Sequence, residues 1–322
     1  MRLNPKIVTQ LQKKIAAARS ILLLAHEFPD GDAFGSVAAM NFVLKHMKKK
    51  VDIAYLRLDN SSWDYLYFFK GLNIHEYSEL AEKKYDLAII LDSSNENRLG
   101  EQKVLLSRCS FVINIDHHPD NSEFGDLNLL HWASAVGEIL YFLFKKMKVD
   151  ISRETAICLL ISIITDTGRF KHSSTHRGIF KVIYEILKFV EPDDYYNIVQ
   201  HLYSEVSLKK SKLIREALNN LEIFGKNIAF SYIPEDTGLE EGLVDNILSI
   251  KGIGAAVLAR RVGKNIKLSL RAKDKTLNVR ELAAQFNGGG HIHASGASMQ
   301  LQDLPKQIEE IRQKVKKYFN KK

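Results

Sequence analysis

The chain has 322 residues, room for two domains, and its 45% hydrophobic and 26% charged residues are the mix of an ordinary globular protein. Its two cysteines, Cys109 and Cys158, sit in apolar settings and form no CxxC pair, which excludes a disulfide scaffold and a thiolate metal site. The longest apolar run, Ile157 to Ile164, is too short to cross a bilayer, and Met1 to Ser20 lacks the continuous apolar core of a secretory leader, so a cytoplasmic protein with no membrane association is expected.

In chain order, Ile21 to Ala25 is a short apolar run bounded by turn residues and predicts a buried strand. Gly31 to Lys50 has helical spacing. Val51 to Leu56, Asp86 to Leu91 and Phe111 to Ile115 are further strands. Strands without polar alternation, separated by helices, predict an α/β domain: a mainly parallel sheet flanked by helices. From Ser134 to about Leu221 the pattern is nearly all helical, clearest at Ser134 to Met147 and at Ser152 to Thr167, where Ser152 starts and Gly168 stops the helix. Residues 1–203 form the first domain in this reading and 204–224 a linker region. Residues 225–322 form a smaller α+β domain, with strands at Asn227 to Ile233, Ala255 to Val262, Ile266 to Arg271 and Ala297 to Leu301. It also holds a helix at Asn278 to Phe286 and a closing basic amphipathic helix. This second domain holds 17 basic and 10 acidic residues, a surplus of +7, against 29 and 28 in residues 1–224, so it suits an anionic partner such as a phosphate or nucleic acid.

The chemistry collects at strand ends. His26-Glu27-Phe28-Pro29-Asp30-Gly31-Asp32 follows the first strand, Asp92-Ser93-Ser94-Asn95 the third, and Asp116-His117-His118 the fourth. Open parallel sheets bind ligands at the carboxyl ends of their strands. A lone Asp after a strand usually caps the next helix. Three loaded strand ends together point instead to one site. Pro29 and Gly31 make the first stretch a tight turn rather than a regular helix start, able to aim His26, Asp30 and Asp32 inward. Imidazole with several carboxylates and no thiolate suits manganese, with magnesium or cobalt as alternatives. Carboxylates so crowded repel one another unless cations lie among them, which implies more than one metal ion. Asp166, at the end of an apolar helix, must emerge from the core or meet a positive group. Farther on, Gly288-Gly289-Gly290-His291 exposes backbone N–H groups to an anion, and Arg271 and Lys273 could grip a terminal phosphate.

These residues resemble the DHH phosphoesterase family. Asp116-His117-His118 matches the motif that names it, the stretch from His26 to Ser36 its first motif, Asp92 its second and Thr165-Asp166-Thr167-Gly168 its fourth. Gly288-Gly289-Gly290-His291 is similar to the signature of the associated DHHA1 domain, and the two-domain length resembles the stand-alone oligoribonuclease/pAp phosphatase members. The resemblance implies a cleft between the domains and two divalent ions. His26, Asp30 and Asp92 would hold one ion, and Asp32, Asp92, His117 and Asp166 the other, with Asp92 bridging. His118 would contact the scissile phosphate and act as acid, while Arg271, Gly289, Gly290 and His291 would bind the far end of the substrate. The expected substrates are short RNA oligonucleotides and 3′-phosphoadenosine 5′-phosphate (pAp), with cyclic di-AMP or pApA as the alternative within the same chemistry. A non-catalytic RNA-binding module is the alternative outside it. A homodimer through the first domain is also expected.

Overall fold

The computed structural model describes residues 1–55, 68, 71–204, 206–225, 227–238, 240, 242–273 and 276–320. They form two compact units, Met1–Ser204 and Glu205–Lys322.

The first unit is built on six strands: β1 (Ser20–Leu24), β2 (Lys50–Tyr55), β3 (Ile74–Glu76), β4 (Leu87–Leu91), β5 (Val112–Asp116) and β6 (Leu127–Leu130). Their order is β3-β2-β1-β4-β5-β6, and every neighbouring pair is parallel. Strand order reverses between β1 and β4, which opens a crevice at the carboxyl ends of those two strands. β1 shows why its sequence does not alternate. Ile21 and Leu23 enter the core on one face, Leu22 and Leu24 the core on the other, and all four are fully buried. The second strand begins one residue earlier than its hydrophobic pattern indicates, and Leu56, its expected last residue, lies outside the described residues. The short edge strands β3 and β6 and the first helix, α1 (Pro5–Ala17), have no counterpart in the sequence reading. Edge strands of three or four residues are too brief to show periodicity.

One face of this sheet is covered by α2 (Gly31–His46), α3 (Val136–Met147) and α4 (Arg153–Asp166). α2 and α4 pack closely because two glycines on α2, one turn apart, remove the side chains between them. A Cβ on Gly31 would lie 2.3 Å from the Thr165 side chain, and one on Gly35 2.6 Å from the Cys158 carbonyl. A Cβ on Gly137 of α3 would meet the Ser162 hydroxyl at 2.1 Å. The ends of three helices are thereby drawn to one place.

The second unit holds a mixed sheet in the order β11-β12-β10-β9-β8-β7: β7 (Glu222–Phe224), β8 (Ile228–Asp236), β9 (Ala255–Val262), β10 (Asn265–Ala272), β11 (Gly289–Gly290) and β12 (Ala294–Gln300). β8 and β9 run parallel and the other neighbours antiparallel. Leu282, Ile308, Ile311 and Val315 cover one face, while Leu213, Ala217, Val244 and Ile247 cover the other. Leu213 and Ala217 belong to a helix, Leu208–Asn219, so much of the 204–224 stretch is ordered structure packed on this sheet. Among the described residues no helix is long and apolar enough to cross a membrane.

Candidate functional site

The crevice between β1 and β4 is where the polar residues meet. His26 follows β1, Asp92 follows β4, and His117 and His118 follow β5. Asp30 and Asp32 come from the start of α2, and Asp166 is the last residue of α4. The local path differs from the tight-turn expectation. A regular helix does begin at Gly31, because the Asp30 carboxylate caps it by accepting Asp32 N–H at 3.0 Å and Ala33 N–H at 3.1 Å. Asp32 therefore projects from the first helical turn.

His117 Nε2 faces three carboxylates: Asp92 Oδ1 at 3.5 Å, Asp166 Oδ2 at 3.7 Å and Asp32 Oδ2 at 3.8 Å. His26 Nε2 lies 3.6 Å from Asp92 Oδ2 and 4.0 Å from Asp30 Oδ1. These separations are too long for hydrogen bonds and wide enough to admit an ion. Ligand atoms of His26, Asp30 and Asp92 lie within 4.8 Å of one another, as do those of Asp32, His117 and Asp166 and those of Asp92, His117 and His118. Asp92 Oδ1 is buried and accepts no hydrogen bond among the described residues. A buried carboxylate oxygen without a donor is costly unless a cation takes that place.

The electrostatics agree. Burial, and after it the Asp92 charge, pushes Asp32 well above the usual carboxylate range. Burial also raises Asp166, against the pull of His117 and with the help of Asp30 and Asp92, to about 7. Burial acts the same way on Asp92, but His117 and His26 outweigh it and hold that carboxyl well below its ordinary value. Burial disfavours a proton on His117, yet its carboxylate neighbours win and hold the imidazole well above its ordinary value. The cluster carries more negative charge than its two inward imidazoles can balance, so its donor set fits divalent cations.

The surrounding chain fixes these groups. Ala133 O, which can only accept, accepts a hydrogen bond from His117 Nδ1–H at 3.1 Å and leaves Nε2 turned to the carboxylates. Asp32 Oδ2 accepts Val136 N–H at 2.8 Å, and its Oδ1 accepts the hydroxyls of Ser162 at 2.5 Å and Ser36 at 3.0 Å. The Ala133–Val136 segment that supplies two of these contacts is tied down by Glu138. That carboxylate, 2% exposed, accepts Ser134 N–H at 2.9 Å and pairs with His176 Nε2 at 3.3 Å. Asp116 does not face the cluster. It is fully buried, accepts from Asn121 Nδ2 at 2.6 Å and holds His118 Nδ1 at 2.8 Å. Backbone strain gathers here too. Asp92 has φ 57°, and Arg169 and Phe170, just past Asp166, have φ 61° and 64°. Left-handed conformations cost a non-glycine residue roughly 1–2 kcal/mol, and such outliers concentrate at functional sites.

Glu138, Arg98, Ser162 and Asn121 escaped the sequence reading. Arg98 Nη1 lies 3.4 Å from His118 Nε2. Its one sequence signal is its place on the segment after Asp92, where the Asn95 side chain accepts Arg98 N–H at 3.3 Å.

In the second unit, Arg271 is the last residue but one of β10, beside the turn that carries His291. Arg271 pairs with Ala294 across the sheet, and Ala272 N–H donates to His293 O at 2.9 Å. A Cβ on Gly288 would lie 2.2 Å from Gly296 O, and one on Gly290, at φ 131°, 2.6 Å from Ala294 O. Packing thus accounts for those two glycines. At Gly289, exposed like Gly290, a Cβ would meet nothing within 4 Å, so packing does not account for this glycine. Arg271 Nε already pairs with Asp245 Oδ1 at 3.3 Å.

A family model described as the DHH family, N-terminal domain, matches residues 20–163, and one described as the DHHA1 domain matches residues 225–321. The chain is 27% identical to the bifunctional oligoribonuclease and PAP phosphatase NrnA of Thermus thermophilus, over 97% of this chain and 93% of that protein. To the protein of the same name from Bacillus subtilis it is 28% identical, over 90% of this chain and 93% of that one. The solved structure of an exopolyphosphatase-related protein from Bacteroides fragilis superposes with a TM-score of 0.85 at 27% identity, covering 98% of this chain and 97% of that chain. With both domains present in this order, the chain belongs to the DHH family, as a hydrolase of phosphoester bonds with a DHHA1 domain at its carboxyl end.

Proposed function

We propose that this protein degrades short oligoribonucleotides to mononucleotides and converts pAp to AMP, using two divalent ions, manganese foremost. The observation that carries the reading is the position of Asp92. Its Oδ2 faces His26 and its Oδ1 faces His117, so one carboxylate addresses both halves of the cluster. His26, Asp30 and Asp92 would hold one ion, and Asp32, Asp92, His117 and Asp166 the other. Two divalent ions in such a cradle supply a nucleophile at neutral pH and neutralise charge on the phosphoryl oxygens.

The chain's own residues do the rest. Ala133 O and Val136 N–H hold His117 and Asp32 in their ligating orientations. Asp116 accepts from His118 Nδ1 and favours the protonated ring, whose Nε2–H, directed at the scissile phosphate, serves as acid. In the second unit, Arg271, Gly289, Gly290 and His291 bind the terminal phosphate or base of the substrate. NrnA relatives of nearly equal length support the substrate class. Two free cysteines, Cys109 and Cys158, suit a reducing cytoplasmic setting. The expected homodimer through the first unit is read by light scattering on the purified protein.

The test is product analysis on 5′-labelled di- to pentaribonucleotides, pAp and cyclic di-AMP side by side, with Mn²⁺, Mg²⁺ or Co²⁺. Mononucleotides from the short RNAs and AMP from pAp are expected, with Mn²⁺ giving the highest kcat/KM. Faster turnover of cyclic di-AMP than of either would replace the proposed substrates.

A further inference from the structure

The geometry points to Arg98 as a substrate-contacting residue of this site, its guanidinium taking a non-bridging oxygen of the scissile phosphate beside His118. The assignment rests on the metal-centred reading above and adds to it the cation that the substrate, rather than the metals, requires.

Arg98 is half-buried at the rim of the cluster, yet among the described residues its guanidinium makes no ion pair with a carboxylate. A guanidinium has five N–H donors that favour oxyanions, and here the structure gives it one acceptor, His118 Nε2, at the long distance of 3.4 Å. Glu27 is the acid in its field, but it too stays beyond ion-pair range. Half-buried arginines are ordinarily paired with an anion; this one has an imidazole nitrogen at long range, a much weaker partner than a phosphate oxygen.

The main chain at Arg98 is clamped from both sides. Its carbonyl accepts Glu27 N–H at 2.7 Å, on the loop that carries His26 and Asp30, and its N–H donates to Asn95. The arginine is thus positioned before substrate arrives, as a group stabilising charge in a transition state should be. His118 Nδ1 lies 3.6 Å from Asp92 Oδ1, so a phosphate touching His118 lies within reach of both the guanidinium and the metal cradle. Loss of Arg98 should therefore act on turnover and leave metal binding intact.

The experiment uses full-length protein with Mn²⁺ and a generic diester, bis(4-nitrophenyl) phosphate, for wild type, Arg98→Lys, Arg98→Gln and Arg98→Ala. Bound Mn²⁺ and the thermal midpoint of each are measured alongside. Arg98→Ala and Arg98→Gln should lose about 10²-fold in kcat, Arg98→Lys less, with bound Mn²⁺ unchanged. Guanidinium ion added to Arg98→Ala should restore part of the loss. The assignment is overturned if Arg98→Ala stays within about threefold of wild type. It is also overturned if all three variants lose Mn²⁺ together with activity, which would make Arg98 a support for the metal loop, or if wild type binds Mn²⁺ and leaves the diester intact. Wild type that cleaves the diester but neither pAp nor short RNA would remove the proposed substrates while still deciding the role of Arg98.

Discussion

Asp116 Oδ1 and His118 Nδ1 lie 2.8 Å apart, with the aspartate fully buried and the histidine at the edge of the metal cluster. The first residue of the Asp-His-His motif thus acts behind the site, orienting the third. Asp116→Asn removes the charge that favours the protonated His118 ring and puts a second amide against Asn121. It should lower kcat by about 10²-fold, in the range expected for a misplaced general acid, with bound Mn²⁺ unchanged by elemental analysis.

Asp92 is expected to serve both metal positions. Asp92→Asn should lower bound Mn²⁺ per chain and abolish turnover of pAp, a loss of about 10³-fold or more. Chelator should do the same to wild type, and added Mn²⁺ should reverse it. A variant with full activity, or wild type indifferent to chelator, would remove the metal mechanism.

Glu138 reaches no proposed metal ligand directly, yet it ties down the segment that orients His117 and Asp32. Glu138→Ala should weaken Mn²⁺ binding by about 10–100-fold in a titration, as losses behind a metal ligand commonly do. Glu138→Gln keeps an acceptor for Ser134 N–H and should recover most of the affinity. Equal losses in both variants would point to a general folding defect.

Gly35 lets α2 rest on α4. Gly35→Ala drives a Cβ into the Cys158 carbonyl, a backbone group that cannot turn aside. Denaturant unfolding should show a loss of about 1–3 kcal/mol, the usual cost of overpacking. Activity should fall further than stability explains, because Asp32 and Asp166 are carried apart with their helices.

Away from the site, Arg153 pairs with Asp194 through two hydrogen bonds, Nε to Oδ2 at 2.7 Å and Nη2 to Oδ1 at 2.5 Å. The Arg153 bond, opposed by burial and aided by the Glu191 N–H, holds the Asp194 carboxyl below its ordinary value. Its folded-state pKa is therefore lower than its unfolded one. The pair contributes fully above the unfolded value, about 3.9, and that contribution fades as pH falls through the lowered one. Wild type should lose more stability than Asp194→Asn between about pH 5 and pH 2 in denaturant titrations. Parallel pH profiles would show that the pair contributes nothing.

What could be read from the sequence was what depends on near neighbours. Short aliphatic runs bounded by turn residues, such as Ile21 to Leu24, read as strands buried on two faces, so the parallel sheet and its loaded carboxyl ends followed. His26, Asp92, His117 and His118 were visible because each lies within a few residues of such a strand. Pro29 and Gly31 read locally as a turn, yet the Asp30 carboxylate caps a regular helix there. Other features hang on contacts between distant segments. Asp32 meets Ser162 across 130 residues and Val136 across 104, and no local pattern encodes either pairing. Those contacts exist because glycines at 31, 35 and 137 let three helices approach until their polar ends share one crevice. Arg98 and Glu138 belong to the same class. In the sequence they are one charge among many, and only packing leaves the first without a carboxylate partner among the described residues and buries the second against the backbone behind the site.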